Sequence, residues 1–164
     1  MRYIVSFSPN KELSDLILRQ NQIVLPGSGL HSTLCVFNIE PELESGLVSD
    51  LSKVRFDSFE IETLGFEDFD NDSLVLKLSR PDALLQLHNK VISAVENYVN
   101  PDFDEIAKKY YGNNYNPHLT ISKSSSGFNR TSKELIGQKD LISSYRLAKK
   151  EGNWKDIQIF YSNQ

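Results

Sequence analysis

Short runs of period two alternate with short runs of helical period along this chain, and the mixture predicts both strands and helices. Tyr3 to Ser8 places Tyr3, Val5 and Phe7 on one face and predicts a strand. Pro9 then precedes Lys11 to Gln20, where Leu13, Leu16 and Ile17 recur at helical spacing and predict a short amphipathic helix. Gln22 to Leu30 holds Pro26, Gly27 and Gly29 and reads as a loop. His31 to Ile39 is a second strand bounded by Pro41, and Glu42 to Val54 a second helix. Phe56 to Leu64 and Ser73 to Leu78 predict an antiparallel pair around the acidic turn Glu67-Asp68-Phe69-Asp70-Asn71-Asp72.

Pro81 opens the longest helix, with Leu84, Leu87, Val91, Val95 and Tyr98 in one stripe up to Val99 and Pro101 just beyond it. Asp102 to Tyr110 follows as a short helix, then a Gly/Asn/Pro loop to Pro117 and a strand over His118 to Ser122. After a Ser-Ser-Ser-Gly loop, Thr131 to Leu147 reads as helical, and Ile157, Ile159 and Tyr161 alternate in a closing strand. Interspersed strands and helices with antiparallel pairing predict an α+β fold, and 164 residues fit one domain, 1–164.

Composition narrows the function. A net charge of -4 and a pI near 5.4 argue against holding long-duplex nucleic acid by neutralising many phosphates. One cysteine, Cys35, excludes a disulfide framework and a multi-cysteine metal site. No apolar run approaches the 18 or so residues of a membrane span, and the opening residues lack a signal-peptide pattern, so a cytoplasmic monomer is expected.

The candidate chemistry is a repeated tetrapeptide, His31-Ser32-Thr33-Leu34 and His118-Leu119-Thr120-Ile121. The chain has four threonines, so two of its three histidines carrying Thr two residues later is about a 1 in 500 coincidence. On a strand, each His and Thr of a pair point the same way, about 7 Å apart. If the two strands meet, the site holds two imidazoles and two hydroxyls, an acid–base pair plus phosphoryl ligands for in-line displacement without metal. Residues 20–39 and 110–122 contain no Asp, Glu, Lys or Arg, so no carboxylate local in sequence repels a phosphate. Residues 123–155 carry 8 Lys/Arg against 3 Asp/Glu, placing a basic excess just after the second motif, which suggests recognition of one small anionic group.

These paired motifs, nearly ninety residues apart, resemble those of the two-histidine phosphoesterase superfamily, which includes 2'-5' RNA ligase-like proteins and 2',3'-cyclic nucleotide phosphodiesterases. The opening strand and helix, Asn116-Pro117 before the second motif, and Trp154 through Tyr161 are also similar to the family pattern. The resemblance implies two pseudo-symmetric lobes, each an antiparallel sheet with helices outside, facing across a central cleft. It implies a cofactor-free phosphodiesterase acting on cyclic or 2'-linked phosphates of nucleotides or short RNA ends, with His118 as base and His31 as acid. A non-catalytic module binding RNA ends or cyclic phosphates is the alternative. Two departures stand out. Ser32 occupies a position that is often aliphatic, and Cys35 stands where the ligase-like branch often has Arg.

Around these pairs, Lys123 is expected to add positive charge at the phosphate and Tyr115, in the loop before His118, to stack a base. Cys35 is expected to share the face of His31 and Thr33. His88 is expected on the helix surface, beside the apolar stripe.

Overall fold

The computed structural model describes residues 1–19, 29–69, 73–99, 109–122 and 132–163. In chain order these form β1 (Arg2–Phe7), α1 (Lys11–Leu18), β2 (Ser32–Asn38), α2 (Glu44–Leu51), β3 (Phe59–Phe69), β4 (Ser73–Leu78), α3 (Asp82–Glu96), β5 (His118–Ser122), β6 (Lys139–Ile142), β7 (Ser144–Glu151) and β8 (Asn153–Tyr161). The strands build two antiparallel four-stranded sheets, ordered β2-β1-β7-β8 and β5-β4-β3-β6. Each sheet thus has a motif strand at one edge and a hydrophobic strand, β1 or β4, just inside it. The expected α+β architecture of two facing antiparallel lobes is observed.

Local rules account for the helices. Asn10 caps α1, its side-chain oxygen accepting the Leu13 N–H at 2.8 Å, while Leu13 and Ile17 turn inward. Pro81 stands at the start of α3, which buries Leu84, Leu87, Val91 and Val95 along the expected stripe. The apolar faces of the two sheets share one core. Phe7 of β1 meets Phe59 of β3 edge-on at 6.2 Å, and Phe56 reaches Tyr145 of β7 at 5.5 Å. Buried side chains of this size each stabilise the fold by about 1.5–3 kcal/mol relative to exposure. The Tyr145 hydroxyl keeps its hydrogen bond by donating to the Leu51 carbonyl at 2.7 Å.

Three expectations are corrected here. Thr131 to Leu147 is not helical: a single 3-10 turn, Lys133–Leu135, leads into β6 and β7. Asp140 and Ile142, then Tyr145 and Leu147, are buried alternately, and pairing with β3 and β1 outweighs the modest helical pattern. The acidic segment is not a turn as far as Phe69, because β3 continues through Glu67 and Asp68, which pair with Val75 and Leu74. His88 is not on the surface but wholly buried, because α3 also buries the position after Leu87 and the position after Val91, His88 and Ile92. The helix expected over Asp102 to Tyr110, all but its last two residues, and the Ser124 to Gly127 loop lie outside the described residues.

One topological detail positions everything else. β6 ends at Ile142 in the second sheet and β7 begins at Ser144 in the first, so the chain crosses between sheets in the single residue Ser143. Its carbonyl accepts the Ser162 N–H at 2.8 Å. Among the described residues, no helix is long and apolar enough to cross a membrane.

Candidate active site

Both motifs are built by the same backbone device. In β2 the register sets Ser6 opposite Thr33 and Val5 opposite Cys35, leaving Leu34 as an extra residue. In β5 it sets Val75 opposite Thr120 and Leu74 opposite Ser122, leaving Ile121 as the extra residue. Each motif strand therefore carries a bulge at its aliphatic fourth position, immediately after the threonine. Ser32 and Leu34, like Leu119 and Ile121, are buried, whereas His31, Thr33, His118 and Thr120 stay partly exposed. The bulge also breaks the expected alternation at Cys35. Cys35 lies opposite Val5, on the other face from Ser6 and Thr33. Burial pushes its thiol up to about 12, so it is a packing residue, with its sulfur 3.2 Å from the Tyr111 hydroxyl.

The imidazoles are oriented alike. His31 Nδ1–H donates to the Gly29 carbonyl at 3.0 Å, and His118 Nδ1–H to the Asn116 carbonyl at 2.9 Å. A carbonyl can only accept, so in both rings Nδ1 keeps its hydrogen and Nε2 is the atom that gains or loses a proton. Gly29 supplies its carbonyl from a backbone at φ +72°, a conformation that a side chain would strain. Desolvation by burial holds both histidines below the ordinary imidazole pKa. The smaller contributions differ in sign. The backbone bonds oppose desolvation in both rings; beyond them Arg146 and His118 itself push His31 further down, whereas Glu67 pushes His118 up.

The two motifs open onto one cavity of about 330 Å³, lined by Thr33 from the first and His118 from the second, with Arg2, Phe69, Tyr110 and Tyr111 among its other walls. Some Cα atoms of β2 and β5 approach within 8 Å, so the two strands lie together across the cleft. Phe69 stacks obliquely against the His118 ring at 4.4 Å and meets Tyr110 at 5.7 Å. Two cation–carboxylate pairs flank the histidines. Arg146 sits in a row with Ser6 and Thr33, contacts Ser6 Oγ at 3.4 Å and pairs with Asp156 at 2.9 Å. Lys77 lies opposite His118 and pairs with Glu67 at 2.9 Å.

Of the four expected His/Thr residues, Thr33 and His118 line this cavity; His31 and Thr120 are not among its lining residues, although His31 is close enough to His118 to feel its charge. Tyr115 lines the same cavity, but its ring is engaged within the protein. Only 5% exposed, it is stacked on His88 at 4.0 Å and 10° between planes, so its ring supports the loop from below. His88 Nε2 accepts the Gly112 N–H at 3.2 Å, and desolvation in this packing holds its pKa down to about 4. Arg80 donates to the Asn113 and Tyr115 carbonyls at 2.6 and 2.9 Å, which fixes the same loop ahead of His118. Lys123 lies outside the described residues. Sequence reasoning missed Phe69, Arg2, Arg146 and Lys77. The basic excess expected beside the second motif is largely elsewhere, since β7, with Arg146, Lys149 and Lys150, joins the sheet of the first motif. Among the described residues no group of three or more His, Cys, Asp or Glu side chains is placed to hold a metal ion.

Comparison with known proteins agrees with this geometry. A family model described as the 2'-5' RNA ligase superfamily matches residues 20–134. No curated protein matches the chain. Solved structures that share its fold include LigT from E. coli complexed with 3'-AMP, with a TM-score of 0.72, 16% identity, and 99% of this chain and 98% of that one covered. TT0787 of Thermus thermophilus superposes with a TM-score of 0.72 at 19% identity, over 98% of this chain and 97% of that one. A structure described as a phosphoesterase matches at a TM-score of 0.70 and 15% identity, over 99% and 98% of the two chains.

Proposed function

Because the chain belongs to the 2'-5' RNA ligase superfamily, among the two-histidine phosphoesterases, we propose that it hydrolyses 2',3'-cyclic or 2'-5'-linked phosphodiesters of nucleotides or RNA ends, without a metal. The observation that carries this reading is the shared cavity: one His/Thr motif contributes Thr33 and the other His118 to the same lining. In-line displacement needs an imidazole on either side of the phosphorus; His118 lines the cavity, and the charge effect of His118 on His31 supports His31 as the second. The structures of LigT with 3'-AMP, ATP and NADP+ support a nucleotide-like ligand.

In the proposed reaction one Nε2 takes a proton from the attacking water as its oxygen bonds to phosphorus. The other Nε2–H delivers a proton to the ribose oxygen as the P–O bond breaks. Thr33 and Thr120 donate hydroxyl hydrogens to the non-bridging oxygens, whose charge grows in the transition state. The flanking charges favour His31 as the neutral base and His118 as the protonated acid, since Arg146 disfavours a proton on the first and Glu67 favours one on the second. That is the reverse of the roles implied by resemblance.

The test is a panel of 2',3'-cyclic nucleotides, 2',5'-linked dinucleotides and ADP-ribose cyclic phosphate, assayed with excess chelator. Turnover of at least one substrate in chelator is expected. Activity seen only without chelator would overturn the metal-free mechanism. Tight binding with no turnover anywhere in the panel would leave the non-catalytic module in its place.

A further inference from the structure

The cavity that Thr33 and His118 line also takes in a cation. Arg2 lines it together with Thr33, His118 and the aromatic wall of Phe69, Tyr110 and Tyr111. On β1, Arg2 and Ser6 point to one face, and Ser6 shares that face with Thr33 across the strand pair. Four residues of strand separate Arg2 from Ser6, or about 13 Å. The register that sets Tyr3 opposite Lys149 brings Arg2 beside Lys150 on β7. Lys150 is exposed, and its Nζ lies 5.4 Å from the ring centroid of Trp154, the residue opposite it on β8.

Neither Arg2 nor Lys150 forms a salt bridge among the described residues. The carboxylates nearby are engaged elsewhere. Glu151 pairs with Lys149 and Lys155, while Glu44 pairs with Lys149 and accepts the Tyr3 hydroxyl. Arg146, by contrast, has Asp156. Two cations side by side on neighbouring strands destabilise a sheet unless an anion lies between them. Of the two, Arg2 lines the cavity, so an anion held between them would lie beside it.

We infer that Arg2 and Lys150 form a second phosphate subsite. It reads an anionic group on the 5' side of the nucleotide whose 2' or 3' phosphate lies between the histidines. The inference rests on the phosphodiesterase reading above and deepens it. The aromatic residues of the same lining, Phe69, Tyr110 and Tyr111, offer faces on which a nucleobase or sugar would pack. The second phosphate is either the 5'-phosphate of a free nucleotide or the next phosphodiester of an RNA end.

Calorimetric binding of adenosine 2'-monophosphate and adenosine 2',5'-bisphosphate tests it, in the wild-type chain and in the R2Q/K150Q double variant. The wild type should prefer the bisphosphate by roughly tenfold, as one charge-assisted contact would give, and that preference should shrink as salt is raised. In the double variant the preference should fall below about twofold. Its circular dichroism should match the wild type, which shows that it is folded, and the preference is read as the ratio of the two affinities within each protein. A 5'-phosphorylated dinucleotide with a terminal 2'-phosphate separates the sources. Tighter binding than the bisphosphate assigns the subsite to RNA ends, and equal binding assigns it to free nucleotides. Equal affinity of the wild type for the first two ligands, or a preference that survives in the double variant, overturns the subsite while the phosphodiesterase reading stands. Failure of the wild type to bind any of the three overturns both.

Discussion

His31 stands just ahead of the edge strand β2 and His118 at the start of the edge strand β5, each donating through Nδ1 to the carbonyl two residues back and each followed by a bulge after its threonine. Their surroundings differ in charge. Arg146 acts on the first ring and Glu67 on the second. The middle positions of the motifs differ too, with a buried hydroxyl at Ser32 where the other lobe buries Leu119. The comparison teaches that backbone geometry repeats between the lobes, while the side chains around it assign unequal tasks. Symmetric presentation would suffice to grip a phosphate. Acid–base catalysis needs one ring neutral while the other is protonated, and that requires asymmetry.

Breaking either half should show this most plainly. His31→Ala and His118→Ala should each lower turnover by roughly 10²–10⁴-fold with the fold intact by circular dichroism. Undiminished turnover in either variant would falsify the shared mechanism.

The middle positions give a smaller effect, on stability. Leu119→Ala should cost about 2–5 kcal/mol in chemical denaturation, because it leaves a cavity in a fully buried site. Ser32→Ala should change stability by less than about 1 kcal/mol, because the Ser32 hydroxyl is buried without a hydrogen bond of normal geometry. Equal costs at the two positions would mean that the lobes pack alike there after all.

The finest test concerns the charges. Arg146→Gln removes a cation that disfavours protonated His31, so the His31 pKa rises. Glu67→Gln removes an anion that favours protonated His118, so the His118 pKa falls. If His31 titrates below His118, the first variant moves the acid limb of the rate profile to higher pH. The second moves the alkaline limb to lower pH. The bell narrows from both sides. Limbs that instead move outward would show that the two pKa values lie in the opposite order. Because desolvation lowers both rings, the wild-type optimum should fall below the ordinary imidazole range, which is centred at about 6.5.

Much of the site was legible in the sequence because a short pattern occurs twice: an imidazole and a hydroxyl two residues apart on a strand share a face whatever the fold. The alternation of Tyr3, Val5 and Phe7 was equally plain, because one face of β1 is core. Other features depend on register, which local pattern does not carry. Arg146 reaches Ser6 across 140 residues of chain, and only the pairing of β7 with β1 places it near His31. Phe69 looked like part of a turn because acidic residues surround it, yet pairing with β4 extends its strand to the His118 ring. The bulges at Leu34 and Ile121 have no glycine or proline to announce them, so the side-switch of Cys35 was invisible. Tyr115 drew attention by its position in the chain, but His88, buried by α3, claimed its ring.

The single-residue passage at Ser143 has a consequence for how such a protein can be cut or recombined. The first sheet takes two strands from each end of the chain, so no break between β2 and β3 yields a self-sufficient N-terminal half. A fragment ending there would expose β1 along its β7 side, an open edge inviting aggregation. Swapping one lobe between relatives therefore requires two junctions, one after β2 and one at Ser143, with the intervening stretch moved as an insert.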